Sequence, residues 1–425
     1  MRTLTARRAV LTASALLLPA LLPGTTATAA PQPPAPACGS GATPIERTLP
    51  NGTGWTMCWR MSGTKGLVLE NVAYKPKKEN APLKVLSSAA LAQVNVPYDS
   101  GKTEYNDVSD IGFGNTAVDI GPDECPGGTI GSAFIPAQNA DVKALCVMTR
   151  PHGYAYRSDL QDEQGNTKKY AQQGDDLVVF SVSQLGWYVY VTQWNFSDDG
   201  TVTGKVGATG DLSPGDYSGA GTGWPIGKGN HDHSTNHYHS VFWRLNFGLD
   251  GSPKAKVEQF DTKVTGRGSG SAVLTTTKKA VTKELAANTA SRRWWRVVSD
   301  SGKNTDGHAR SWQLVQEASA PYEAHKYTSK DVYFTQYRAC EELASGNVDP
   351  ACPTARGTSV DKWVNGENLT HPVMWVNVGF HHIPRDEDQT PMPIHWQGFQ
   401  LVPRDVTAMS PLTPDDLSGH NGQDH

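Results

Sequence analysis

Apolar residues in this chain cluster in short extended runs rather than at helical spacing. "GLVLENVAY" (66–74), "DLVVFSVS" (176–183), "WYVYVTQWNF" (187–196), "VFWRLNFGL" (241–249) and "VMWVNVGF" (373–380) are rich in Val, Phe, Tyr and Trp, with Gly, Pro and Asp between them. Such residues fit a pleated, half-buried surface, so each run predicts a strand. "SDDGTVTG" (197–204) reads as a tight turn leading into a further strand, a hairpin signal. Helical periodicity is scarce, and "KVLSSAALAQV" (84–94) is its best candidate. No internal repeat occurs. About 350 ordered residues, mostly in strands, predict one large all-β sandwich rather than several small modules.

The two ends read differently. Arg2, Arg7 and Arg8 precede "AVLTASALLLPALL" and then "TTATAA", the basic start, short apolar run and small-residue site of an export signal over residues 1–30. The Arg7–Arg8 pair is compatible with the twin-arginine route. The apolar run is too short to span a bilayer and Pro19 interrupts it; no later segment has the length and apolarity of a transmembrane helix. Residues 31–54 are rich in Pro, Gly and Thr and predict a tail or linker, 55–405 the sandwich, and 406–425 a polar, loose tail.

Charge narrows the partners. Lys and Arg number 38 and Asp and Glu 42, a formal −4; removing the three signal arginines leaves 35 against 42, or −7. That balance argues against a nucleic-acid binder, which needs a basic face. The six cysteines all follow the signal, and in an exported chain pairing is the default. Neighbours in sequence suggest Cys38–Cys58, Cys125–Cys146 and Cys340–Cys352, and no Cys-x-x-Cys points to a thiolate metal or redox site.

The candidate chemistry lies in "NHYHSVFWRLNF" (236–247). On a strand, residues i and i+2 share a face about 6.6 Å apart, so His237 and His239 can aim at one ion while Tyr238 faces away. On spacing alone the pair reads more readily as two solvated polar residues. Further ligands have to come from elsewhere, and the candidates are His231 and His233 in "HDH" or the "FHHIPRDED" stretch (380–388). His231 and His233 sit in a polar Gly-rich loop and read as loop residues. His381 and His382 are adjacent, so only one can face inward.

The downstream stretch "MWVNVGFHHIPRDEDQTPMPIHWQGFQLVPRD" (374–405) resembles the C-terminal end of the copper-containing, quinone-dependent primary amine oxidases, with His-x-Pro-Arg, Glu-Asp, Met-Pro and Gly-Phe in the family's order. "HYHSVFWRLN" resembles the paired copper histidines before an Arg-Leu-Asp run, with Asn246 in place of the Asp. "VPYDSGKTEYNDVSDIGFG" (96–114), "VDIGPDECPGG" with "LCVM", "DGTVTGKVGATG" (199–210) and "RRWWRVVSDSGKNTDG" (292–307) match further segments in fixed order. The resemblance runs from about Gly66 to Pro403. It implies His237, His239 and His382 as copper ligands, Asp107 as catalytic base, Tyr98 as a contact of the quinone, and adds support for Cys125–Cys146.

The family makes topaquinone from the first Tyr of an Asn-Tyr-Asp/Glu-Tyr motif. The matching stretch is "GWYVYVTQ", so Tyr188, 49 residues (237 − 188) before His237, aligns with the precursor and Tyr190 with the second Tyr. Trp187 and Val189 replace the Asn and the acid. Asn246 and His371 stand where acids of a peripheral cation site are expected, so that site is not predicted. The smaller N-terminal domains usual in the family are expected to be absent. The resemblance implies a secreted homodimer that takes a small primary amine and oxygen to aldehyde, hydrogen peroxide and ammonia, with Asp107 raised in pKa by an apolar pocket for proton abstraction. The alternatives are a catalytically inactive copper-binding relative or partner subunit, and a structural zinc site in a carbohydrate-binding or adhesive sandwich.

Overall fold

A computed structural model describes residues 37–161, 165–289, 292–347 and 358–417. The export segment 1–30 and Cys352 lie outside the described residues. Strand prediction is met along the chain: "WYVYVTQWNF" forms Tyr188–Ser197, "VFWRLNFGL" falls in His237–Phe247, and "VMWVNVGF" falls in Pro372–His382. The turn after Ser197 joins Tyr188–Ser197 to Val202–Gly210 as an antiparallel hairpin.

Among the described residues, the strands build two large antiparallel sheets. The first runs in the order Thr43–Thr48, Gly54–Ser62, Gly66–Lys75, Leu83–Pro97, His237–Phe247, Pro372–His382, Val332–Gln336, Leu285–Ala287. The second centres on Met392–Arg404, Val202–Gly210, Tyr188–Ser197, Thr167–Leu185 and Ala140–Gln161. They pack face to face as a sandwich. Trp194 of one sheet meets Trp243 of the other edge to face at 4.9 Å between ring centres, Phe399 lies 5.8 Å from Trp243, and Trp55 lies 5.1 Å from Phe196. Edge-to-face aromatic pairs add about 0.5–1.5 kcal/mol beyond the area they bury.

Side-chain alternation divides each strand between two cores. Val241, Trp243 and Leu245 point into the central core, while Phe242 packs outward with Trp375, Tyr333 and Trp363. In Tyr188–Ser197 the inward set includes Tyr188, Tyr190, Trp194 and Phe196, while Val189 and Val191 lie on a satellite cluster around the Cys125–Cys146 disulfide.

Three expectations are corrected. "KVLSSAALAQV" is part of the strand Leu83–Pro97, because strands pair along both its edges while Val85, Ala89, Leu91 and Val94 pack in the central core and Ala92 in the outer cluster, and tertiary burial overrides weak helical spacing. The segment 31–54 is not wholly a tail: Thr43–Thr48 pairs with Gly54–Ser62, and Cys38–Cys58 ties the stretch before it to the same strand. After Asp405 the chain forms no strand among the described residues, yet Val406 and Leu412 are buried, so apolar anchors hold it down. Cys340 is disulfide-bonded.

Two hairpins carry exposed apolar side chains in their outer halves. Ala255–Arg267 with Ala272–Val281 exposes Val264, Val273 and Leu274; Ala140–Gln161 with Thr167–Leu185 exposes Tyr154 and Leu160. Among the described residues no helix is long and apolar enough to cross a membrane.

Candidate active site

The site follows from pairing register. His237 lies directly opposite His382 in the antiparallel ladder between His237–Phe247 and Pro372–His382. Directly opposed residues share a face, so His382 joins His237 and His239 on the inner side. His381 is carried outward, where it stacks on Tyr238 at 4.2 Å and meets Asp99 at 2.9 Å. The nitrogens that His237, His239 and His382 offer all lie within 4.8 Å of one another. His233 opens a short strand, His233–Thr235, and does not belong to this group.

Hydrogen bonds set each imidazole's tautomer. The Thr235 carbonyl can only accept, so His237 Nδ1–H donates to it at 3.1 Å and Nε2 presents its lone pair. The buried Asp388 carboxylate accepts from His382 Nε2–H at 3.0 Å, which leaves His382 Nδ1 free. Asp388 is itself fixed by the Arg385 backbone N–H at 3.0 Å. His239 Nδ1 lies 3.2 Å from the Tyr190 hydroxyl, and its buried Nε2 has no partner among the described residues. A buried, unpartnered ring nitrogen beside two others with free lone pairs is the donor set of a metal ion.

Burial keeps these groups neutral. Desolvation pushes the His237 imidazole down to about 3, helped by its neighbour His382, and holds His239 well below the usual histidine range. His382 is lowered by burial and partly restored by Asp388. Neutral imidazole is the ligating form, so the cluster is set for a cation across the neutral range.

Tyr188 meets this cluster. Its hydroxyl lies 2.7 Å from His237 Nε2 and 3.2 Å from His382 Nδ1, the two nitrogens whose lone pairs are free. Tyr98 stacks on His237 at 4.6 Å and lines the same cavity as Tyr188. Asp107 begins the one-turn helix Asp107–Asp110 and also lines that cavity. Buried Gln93 holds the turn, accepting from the Val108 N–H at 3.1 Å and donating to Ser109 Oγ at 3.0 Å. Burial raises the Asp107 carboxyl to about 7, against a hydrogen bond from the Tyr190 hydroxyl that lowers it. Tyr190, kept protonated by burial and by the Asp107 charge, thus touches both Asp107 and His239. The predicted site residues His237, His239, His382, Tyr188, Tyr98 and Asp107 are brought to one end of the sandwich.

Sequence reasoning did not find Gln93, Thr235, Asp388 or the hydroxyl role of Tyr190. The Asp388 signal lay in "PRDED", six residues after His382, but nothing marked which of three acids turns back. Where acids of a peripheral cation site were absent, His371 Nε2–H donates to Asn246 Oδ1 at 2.8 Å, a neutral pair.

Imidazoles in this arrangement suit copper, zinc or iron, so the fold and site are those of an antiparallel sandwich with a three-histidine cluster that could hold a metal. Within that class the chain belongs to the copper amine oxidase family: the family model described as "Copper amine oxidase, enzyme domain" matches residues 51–414. It is similar to "Primary amine oxidase 2" of Arabidopsis thaliana, 26% identical over 377 residues that cover 81% of this chain and 55% of that protein. It is also similar to "Primary amine oxidase" of Arthrobacter sp. (strain P1), 25% identical over 399 residues, 84% of this chain and 58% of that one. The chain therefore spans just over half the length of these curated relatives. In structure it resembles the Aspergillus nidulans amine oxidase, with a TM-score of 0.72 at 18% identity over 85% of this chain and 52% of that one.

Metal titration tests the donor set. One equivalent of Cu²⁺ is expected to bind the purified chain. His239→Ala is expected to lose that binding, and Asp388→Asn to weaken it about 10–100-fold in a chelator competition. Wild-type uptake by His239→Ala would remove His239 from the ligand set.

Proposed function

We propose that this chain is an exported copper- and topaquinone-dependent primary amine oxidase, converting a primary amine, oxygen and water to aldehyde, hydrogen peroxide and ammonia. The observation that carries the reading is the Tyr188 hydroxyl, within hydrogen-bond reach of His237 Nε2 and His382 Nδ1. A tyrosine so close to three neutral imidazoles is where copper and oxygen could modify it. His237, His239 and His382 would hold copper, and Tyr188 would become the quinone. When present, the quinone supplies an electron-accepting carbonyl and copper supports the reduction of oxygen.

The chain's own residues do the rest. Asp107, at the cavity wall and raised towards neutrality, takes the proton from the carbon bearing the amine. The Tyr190 hydroxyl favours the charged form of Asp107 and so counters part of the effect of burial. Tyr98, stacked on His237, closes one side of the space around Tyr188. The inactive-relative reading rests on Trp187 and Val189; Val189 points away from the site into the satellite cluster, so it does not disturb the metal face. Export is supported by the signal-like first thirty residues and by the disulfides, which persist in oxidising compartments. A homodimer is supported by the family and by the apolar tips of the two hairpins, and light scattering is expected to give twice the chain mass; a monomer at micromolar concentration would count against it.

After incubation with copper in air, the peptide holding Tyr188 is expected to gain two oxygens and lose two hydrogens, with a coloured phenylhydrazine adduct. An unmodified Tyr188 in copper-loaded protein would sink the redox reading in favour of an inactive copper-binding relative.

The base makes a pH prediction. Because burial raises Asp107, it is protonated below about pH 7 and cannot accept a proton. kcat/KM is expected to fall as pH drops through that value. Tyr190→Phe removes a hydrogen bond that lowers the pKa, so the inflection is expected to move upward. Asp107→Asn is expected to cut kcat by about 10²–10⁴. An inflection unmoved in Tyr190→Phe of unchanged copper content would break the link between the two residues.

A further inference from the structure

We propose that the pocket selects primary monoamines carrying one aromatic ring on a short alkyl chain, and that Trp187 is the residue that selects them; this rests on the amine-oxidation reading. Gly186 and Trp187 form a two-residue hairpin turn, since Leu185 pairs directly with Tyr188. Gly186 has φ 59° while Trp187 is not among the positive-φ residues, the type II′ pattern that a tight hairpin favours. The Trp187 carbonyl accepts from the Asp211 N–H at 2.9 Å. A Cβ at Gly210 would sit 2.5 Å from that same carbonyl, so the neighbouring strand presses close. The turn is thus pinned at its backbone while its indole stays 54% exposed and lines the cavity that ends on Tyr188.

Further lining comes from the segment around Asp107. Tyr105 and Ile111 are 39% and 40% exposed and line the same cavity. Large apolar side chains held in solvent around a cavity mark a surface for an apolar ligand. Deeper in, Val96 and Leu185 continue the apolar wall. The cavity measures about 160 Å³, close to the roughly 150 Å³ at which an apolar protein cavity takes up benzene.

Charge separates this substrate from a diamine. Asp107 is the one carboxylate among the lining residues. Asp216 is near enough to raise Tyr98 and Tyr105, but it accepts from Thr103 Oγ1 at 2.8 Å and does not line the cavity. A second ammonium would therefore end against the side chains of Trp187, Tyr105 and Ile111, with Asp211 and Asp216 outside the lining, whereas an aromatic ring there covers apolar surface and stacks on the indole. A one-carbon amine would leave that wall unfilled.

Calorimetry on the metal-free full chain tests the proposal without turnover. The 2-phenylethylammonium ion is expected to bind at least about tenfold more tightly than butane-1,4-diammonium or methylammonium. Trp187→Ala is expected to remove about tenfold of that affinity while changing the diammonium by less than about twofold, and Trp187→Phe to restore most of it. Equal binding of the diammonium, or a ratio unchanged in Trp187→Ala, would overturn the assignment. Peroxide release from the copper-loaded protein is expected to rank the amines in the same order. No peroxide from any amine, with the calorimetric ranking intact, would sink the oxidation reading and leave the pocket's selectivity standing.

Discussion

Two strands from different sheets keep one offset across the sandwich, and the site depends on it. Tyr188 and His237, and Tyr190 and His239, are each 49 positions apart and in contact. Six residues further along, Trp194 and Trp243 keep the same separation (243 − 194 = 49) and pack edge to face. The two strands thus run in the same sense and in step, and the tryptophan contact in the core fixes where the tyrosines meet the histidines at its end. A one-residue slip in either strand would turn its whole inward set to the other face. It would expose Trp194 or Trp243 and take Tyr188 or His237 out of the site together. Core packing and site geometry are therefore one constraint, which lets a polar cluster persist at the end of an apolar interior.

That cluster is held in a definite protonation pattern. Burying polar groups without partners costs about 1–3 kcal/mol each, and nearly every polar atom here has a partner chosen to leave one lone pair over. Thr235 and Asp388 take the protons of His237 and His382 on the sides away from the cluster. Tyr190 does the same for His239 while donating to Asp107. A single phenol therefore links the group that would abstract a proton with one that would hold the metal. Asp107 in turn is set by Gln93, which reaches from the first sheet to the turn on which Asp107 sits.

This chain departs from the pattern it resembles at positions that fall into two kinds. Val189 and the Asn246–His371 pair lie away from the cluster and replace charge with neutral contacts. Trp187 is different, because the tight turn that places Tyr188 inward places the preceding residue at the cavity mouth. A substitution there alters what can enter without moving the strand that carries Tyr188.

The sequence by itself was enough for the strand-rich class and for most strand positions, because period-two apolar runs are local signals; its ordered motifs also named His237, His239, His382, Tyr188, Tyr98 and Asp107, which the fold brings close together. It also carried the Cys38–Cys58 and Cys125–Cys146 pairings. Local signals failed where burial decides. "KVLSSAALAQV" is a strand because strands pair along both its edges, and Thr43–Thr48 is a strand because Gly54–Ser62 offers it an edge. The resemblance singled out His382 rather than His381, and the register that sets it opposite His237 supplies the physical reason. Only the tertiary structure found Asp388, Thr235, Gln93 and the Tyr190 hydroxyl, because a hydrogen-bond partner is specified by position in space and any of several acids or carbonyls nearby in sequence would have looked the same. And only it turned Trp187 from a missing amide into a wall of the entrance, since the direction of a side chain at a hairpin turn is set by the backbone around it and not by the residue's identity.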